Sequence, residues 1–473
     1  MKRHLASILL LIYFLLSFTE IDKRILSFML LSTLLLMILD KLGKGIVLRE
    51  IIALFTVFTC LIMPIVGYEF YTIENFLARL WIKYMPVSEL LYFNYAFPAV
   101  SGFCWALCIP LKSKNADEGY FLGNIFKQIK GYEGKGRLGV ILMIVGFLIS
   151  LIVPFLPGPL QFVANLFYFA SFAGFLYLYF DKQFPLRRWI IILFSLVILY
   201  GGIISGMFTI VAYMGLTLIS IVLYGASYSL LRKTIVFLLV LFLFVVLQNT
   251  KRVYRERTWN IGASGEVALF ADLFLQNLQK REALFDVKGF FPVYTRANQG
   301  YNVALVMRRF PAIKPFDEGQ RLKTVILSSL VPRLLWPDKP KAGGQFNMDY
   351  YAGFRIRGWS TNVGPMGEAY GSFGVTGGIF YMVVLGFFIR WFYSRVFVLA
   401  KKYPLLILWI PVLFYQVTYS AENDTLQILN SLFKASFFLY FLFKIFPRLL
   451  TPSVLKKTEP VKEDRNLKQA FHF

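Results

Sequence analysis

The stretch STNVGPMGEAYGSFGVTGGIF, residues 360–380, runs without interruption into YMVVLGFF, residues 381–388. Residues 365–389 form a block long enough to cross ~30 Å of hydrocarbon as a helix. On such a helix Gly367, Gly371, Gly374 and Gly378 recur at i, i+4, i+7 and i+11 and make one smooth stripe, with Glu368 beside it. Small stripes let neighbouring membrane helices approach closely. An ionisable residue at membrane depth faces the bundle interior or a watery mouth rather than lipid. Two roles stay open for Glu368: an ion pair with an arginine of the segment before it, or a general base toward a hydroxyl. The preceding NVGP (Asn362–Pro365) reads as the start of the helix, with Asn362 as a cap or hydroxyl contact.

The rest of the chain repeats this pattern of apolar blocks. Of 473 residues 58% are apolar, 18% aromatic and only 16% charged, against about a quarter charged in soluble domains; the mean hydropathy is +0.62. Apolar blocks near 5–18, 25–39, 51–67, 91–110, 138–156, 161–180, 189–206, 207–226, 234–248, 365–389, 404–419 and 428–446 predict an all-α polytopic membrane protein of about twelve transmembrane helices. Gly201, Gly202 and Gly206 mark the break in the block from Trp189 to Ser227, which is too long for one helix. The organisation predicted is nine helices over 1–248, a large loop over 249–362, three helices over 363–446 and a polar tail over 447–473.

Lys and Arg placement sets the orientation. With the N-terminus inside, the inside segments carry 27 Lys and Arg and the short outside loops carry four, Lys23, Arg24, Arg79 and Lys83. This positive-inside bias predicts both termini in the cytoplasm. The 249–362 loop then lies outside with 18 basic and 9 acidic residues. Its Phe, Leu, Tyr and Trp content argues for a folded segment. EVALFADLFLQNLQKREALF within it places Phe270, Leu273, Phe274 and Leu278 at helical spacing, as an amphipathic helix on the membrane face or on the spans.

The net charge of +24 belongs to this topology, so no nucleic-acid partner is expected. A basic folded loop outside instead calls for an anionic partner such as a lipid-linked phosphate or pyrophosphate, which Arg recognises in a planar, bidentate way. The densest part, VPRLLWPDKPKAGGQFNMDYYAGFRIRGWSTN (Val331–Asn362), supplies Arg333, Lys339, Lys341, Arg355 and Arg357. Trp336, Tyr350, Tyr351, Phe354 and Trp359 lie between them, suited to stacking on sugars or sitting at the lipid interface. The only histidines are His4 and His472, so no imidazole serves the interior. Cys60, Cys104 and Cys108 lie in apolar blocks and read as packing residues. The pairs Glu20/Asp22 and Glu422/Asp424 have a spacing too common to argue a metal site, and none is assigned; Lys434 is a possible ion-pair partner for the second pair.

PRLLWPDKP (Pro332–Pro340) followed by STNVGPMGEAYGSFGVTGG resembles the O-antigen and oligosaccharide repeat-unit polymerase family of the bacterial inner membrane. That resemblance implies a GT-C-like fold with one large periplasmic loop late in the chain. It implies transfer of a growing glycan from undecaprenyl pyrophosphate to a new lipid-linked repeat unit, without metal or other cofactor, often alongside a chain-length regulator protein. The partners expected are the undecaprenyl-pyrophosphate-linked oligosaccharide and membrane lipids. Carried over residue by residue, it places Arg355, Arg357 and Glu368 in catalysis, and Arg333, Lys339, Asn362 and Trp359 in substrate binding. Relatives carry an arginine in a mid-chain small-residue turn, and GGIISGM (Gly201–Met207) has none. The alternatives are an O-antigen ligase, which relies on a periplasmic histidine absent here, and a lipid-linked glycan flippase, which favours repeated halves.

Overall fold

A computed structural model describes residues 3–111, 118–205, 208–260, 266–331, 335–356 and 361–451. Among them every regular element is helical and no strand occurs. This is the solution expected of an apolar chain whose backbone polar groups must be satisfied away from water. The helices are α1 Arg3–Leu16, α2 Lys23–Lys41, α3 Leu48–Phe70, α4 Glu89–Cys108, α5 Glu118–Gly131, α6 Lys135–Phe155, α7 Gly158–Phe180, α8 Arg187–Ser205, α9 Thr209–Val222, α10 Leu230–Arg255, α11 Val267–Gln279, α12 Val287–Ala297, α13 Gln299–Arg309, α14 Gln320–Leu330, α15 Gly364–Lys402, α16 Pro404–Glu422 and α17 Thr425–Ile445. Each of the twelve apolar blocks falls on one of them. Nine helices among the described residues are long and apolar enough to cross a membrane; α1 and α9 are shorter, and α2 carries charges at both ends, Lys23 and Arg24 at one and Asp40 and Lys41 at the other. The break expected in the Trp189–Ser227 block lies after Ser205.

Small residues set the closest helix crossings, at places other than the stripe read from the sequence. A Cβ on Gly139 would stand 2.5 Å from the Gly174 carbonyl oxygen, and one on Gly174 would stand 2.6 Å from that of Gly139, so α6 and α7 meet backbone to backbone. A Cβ on Gly386 of α15 would stand 2.7 Å from the Phe103 carbonyl oxygen of α4. The stripe of Gly367, Gly371, Gly374 and Gly378 instead receives side chains: Val306, Tyr351, Phe316 and Tyr95 fill the space its Cβ atoms would occupy. It is not straight either. Gly374 has φ +66° and ψ −156°, so α15 kinks there, a conformation open to glycine because it lacks Cβ. The expectation of a continuous helix-packing ridge is corrected accordingly.

The described residues of the segment expected as a loop fold into helices. Its α11 packs Phe270 and Leu273 against Phe208 and Tyr254, so the amphipathic helix lies on the spans while Leu275 stays exposed. In α13, every residue from Gln299 to Met307 is buried. A Cβ on its Gly300 would strike Pro64 of α3 and the Tyr92 hydroxyl of α4, which places α13 inside the bundle. Eleven residues are too few to read as a span, which is why periodicity alone left this helix in the loop. Cys60, Cys104 and Cys108 are buried and free.

Candidate functional site

Helix α17 begins with Asp424, whose side chain accepts the Gln427 N–H at 2.6 Å, while the Gln427 amide oxygen accepts the Asp424 N–H at 3.1 Å. This reciprocal cap satisfies two of the orphan donors every helix start leaves. A second carboxylate joins it from α15: Glu368 Oε2 accepts the Thr425 N–H at 2.8 Å, and its Oε1 accepts from Asn347 Nδ2 at 2.9 Å. Glu368 is 1% exposed. Among the described residues no Lys or Arg reaches ion-pair distance of Glu368 or Asp424. The ion pair offered for Glu368 is therefore replaced by a helix N-terminus, whose N–H groups and dipole favour negative charge.

Asn362 ties this network together. Its Nδ2 donates to Asp424 Oδ2 at 3.0 Å, its Oδ1 accepts the Val363 N–H at 2.9 Å, and its carbonyl accepts from Gln299 and Asn302 of α13 at 2.8 and 2.9 Å. Gly343 N–H adds a 2.7 Å bond to Asp424 Oδ2. Gly344 makes the arrangement possible, since a Cβ there would lie 1.5 Å from the Thr361 carbonyl oxygen. Burial raises the Asp424 carboxyl above the ordinary carboxylate range, against the lowering effect of its N–H donors.

Immediately beside this network the chain gathers cations that sequence reading did not single out. Lys314 Nζ lies 3.2 Å from the centroid of the Tyr350 ring, and the Arg321 guanidinium lies 5.1 Å from it. Arg309 comes to the same place: a Cβ on Gly353, which has φ +75°, would stand 2.0 Å from its Nη1. The Nε atoms of both arginines are buried and make no hydrogen bond among the described residues. The acid of the group is Asp317, half-buried, which accepts from the Tyr350 hydroxyl at 3.1 Å and from the Gly319 N–H at 3.0 Å. Burial and the adjoining Arg309 and Arg321 hold the Lys314 ammonium below its ordinary value, and burial with Asp317 pushes the Tyr350 hydroxyl up to about 12. Tyr350 lies three residues after Asn347, the donor to Glu368 Oε1, which links the cation group to the carboxylate network. The sequence signal was RRFPAIKPFDEGQR (Arg308–Arg321): two prolines and a glycine between short helices bring its two ends together.

The residues expected from sequence divide. Glu368 and Asn362 share one buried network. Lys339 is buried and donates to the carbonyls of Ser328 and Val331 at 2.7 and 2.6 Å, holding the C-terminal end of α14 rather than facing a cavity. Arg355 is 84% exposed, with its Nε 3.5 Å from Asp349. Arg333, Arg357 and Trp359 lie outside the described residues. Of the aromatics, Tyr351 is buried against Gly371, while Tyr350 carries the cations. Glu422 and Asp424 do not converge: Glu422 takes Arg296 at 2.7 Å and Tyr213 at 3.4 Å. Lys434 stands 4.6 Å from the Phe162 ring centroid.

No curated protein and no solved structure matches the chain. A family model described as "Domain of unknown function (DUF8712)" matches residues 127–456, more than two thirds of the sequence. The match runs from within α5 to beyond the end of α17 and takes in both the carboxylate network and the cation group. The chain belongs to that family.

Proposed function

We propose that this protein polymerises lipid-linked oligosaccharide repeat units at the periplasmic face of the bacterial inner membrane, with twelve spans and both termini in the cytoplasm. The observation that carries the reading is the group of Arg309, Lys314 and Arg321 on Tyr350, three cations against the single carboxylate Asp317, beside a buried polar network. An excess of partly buried positive charge suits an anionic diphosphate head.

In the reaction, the bond between the donor's anomeric carbon and the diphosphate oxygen breaks as a bond forms from that carbon to the acceptor hydroxyl oxygen. The electron pair leaves with the diphosphate, and the three cations offset its charge, as preorganised donors do for a developing anion. The acceptor hydroxyl proton passes to a base. Asp317 reaches solvent and stands among the cations. Glu368 has both oxygens engaged by N–H donors, so it positions Asn347 and the start of α17 rather than meeting substrate. The membrane helices supply the prenyl-facing surface.

Purified protein reconstituted with a lipid-linked repeat unit should give a ladder on a gel. Unchanged substrate moved to the other leaflet would identify a flippase instead. Asp317→Asn should lower the ladder-forming rate by at least a hundredfold with the thermal melt unchanged. Full activity in that variant removes Asp317 as the base.

A further inference from the structure

Helix α13 advances in the same direction as the start of α15. A Cβ on Gly364 would stand 3.0 Å from Gln299 Nε2, and Cβ atoms on Gly367 and Gly371 would stand 3.4 and 3.2 Å from the Val306 methyls. The chain then turns over residues 310–319. Three contacts pin this turn against α15. The Asp317 N–H donates to the Gly371 carbonyl at 3.4 Å, a Cβ on Gly374 would stand 3.2 Å from the Phe316 ring, and one on Gly319 would stand 2.4 Å from the Phe373 ring. The turn therefore lies at the level of residues 371–374.

That level is where α15 begins to face outward. Every residue from 364 to 372 is buried, whereas Phe373 is 41% exposed and Val375 and Phe380 follow it at the surface. Between Glu368 and Arg390 the helix carries no charge. Residues 373–389 rise ~25 Å as a helix, close to the ~30 Å of a hydrocarbon core. The surface that opens at Phe373 is the lipid-facing surface of this span.

The tip of the turn has the composition that such a level asks for. Pro311, Ala312, Ile313 and Pro315 are exposed, Ile313 at 73%. An exposed apolar group gains free energy when it leaves water, and a contiguous one marks an interaction surface. Because Gly319 and Phe316 of the turn rest on Phe373 and Gly374, the apolar tip continues the exposed face of the span, and what covers one covers the other. Charge agrees with this. Over residues 308–323 five Lys and Arg stand against two acids, Asp317 and Glu318. Lys and Arg lay their stems along apolar surface and keep their charged ends among headgroups, where anionic lipid attracts them.

We infer that residues 310–316 are a membrane-docking turn, which enters the boundary between headgroups and acyl chains in the leaflet at the N-terminal end of α15, with its flanking cations at the level of the lipid phosphates. The inference goes beyond the transfer reaction proposed above and stands whether or not that reaction occurs. Lys314 belongs both to the turn and to the cation group on Tyr350, so an anion carried on a lipid meets that group at its own depth.

The test places a bimane fluorophore on Ile313→Cys in the full-length protein, in nanodiscs of phosphatidylcholine and phosphatidylglycerol. Cys60, Cys104 and Cys108 are buried, and wild-type protein carried through the same labelling supplies the background. The exposure of Ile313 keeps the substitution out of the core, and a thermal melt checks this. A nitroxide near the carboxyl end of the lipid acyl chain should lower the emission about twofold or more, as expected of a group seated at the headgroup and acyl boundary. Aqueous iodide should quench the label several-fold less than it quenches the free dye. Iodide quenching equal to that of the free dye, with no effect of the lipid nitroxide, overturns the inference. Protection from both quenchers also overturns it, because a protein surface then covers the turn. A ladder assay that fails while the lipid nitroxide quenches rejects the polymerase reading alone, and free iodide quenching beside a normal ladder rejects the docking turn alone.

Discussion

Two buried polar networks occupy opposite ends of the helical bundle, and they are built on different rules. At one end Lys41 Nζ bridges Glu50 at 3.0 Å and Glu118 at 3.1 Å, and Arg49 meets Glu118 at 3.3 Å. Arg49 also donates to the Ile109 carbonyl at 2.8 Å and lies over the Tyr393 ring. Among the described residues two cations and two carboxylates meet here and tie α2, α3, α5 and α15 together. At the other end Glu368 and Asp424 have no cation partner among the described residues; amides and the start of α17 satisfy them, and the cations sit apart on Tyr350. Balanced charge is what a structural clasp needs. Cations in excess of the one carboxylate among them, Asp317, leave positive potential for a ligand.

The strongest way to break this contrast is Glu118→Ala. It leaves Arg49 without its carboxylate and Lys41 with Glu50 alone in a buried site, and should cost about 3–5 kcal/mol of stability, read as a large fall in melting temperature and yield with activity per folded molecule retained. An activity loss at unchanged stability would show that the clasp is itself functional. Arg321→Gln should do the opposite: about a 100–1,000-fold fall in the proposed transfer rate, the magnitude of losing one charge-stabilising donor, with the melt unmoved.

Glu368 separates the rules within one residue. Glu368→Ala leaves the Thr425 N–H and the Asn347 amide without acceptors and should destabilise by about 1–3 kcal/mol. Glu368→Gln keeps an acceptor for Thr425 and, because the Asn347 amide can turn, should retain most stability and most ladder formation. Loss of activity in Gln at full stability would return Glu368 to the chemistry. The smallest effect concerns pH. Lys314 loses its proton below the ordinary lysine value of 10.5, so anion binding at Tyr350 should weaken as pH rises toward that value. Lys314→Arg should move this alkaline decline upward, and identical pH profiles would remove Lys314 from the site.

Much of this was legible before the fold was known. The helix-forming blocks, the break after Ser205, the folded basic segment and the inward-facing place of Glu368 all follow from local composition and spacing. The glycine stripe was legible as a stripe but not in its use: periodicity shows that small residues share a face, and cannot show whether a helix backbone or Tyr351, Phe316 and Tyr95 will fill it. The bonds of Lys339 were not legible for a similar reason, because the carbonyls it meets belong to Ser328 and Val331, and a cation near a helix end in space is not marked in sequence. α13 hid in the loop because eleven residues carry too little hydrophobic signal to announce that they will be buried.

By itself the sequence determined a membrane-type, all-helical chain with one basic segment, since burial periodicity and charge bias are properties of neighbouring residues along the backbone. Only the tertiary structure decided which charges are matched. Arg296 finds Glu422 across 126 positions and Asn362 finds Asp424 across 62, and the balance of charge at a point depends on distance in space. That balance, set by packing, separates a carboxylate that holds a helix end from cations left open to an anion.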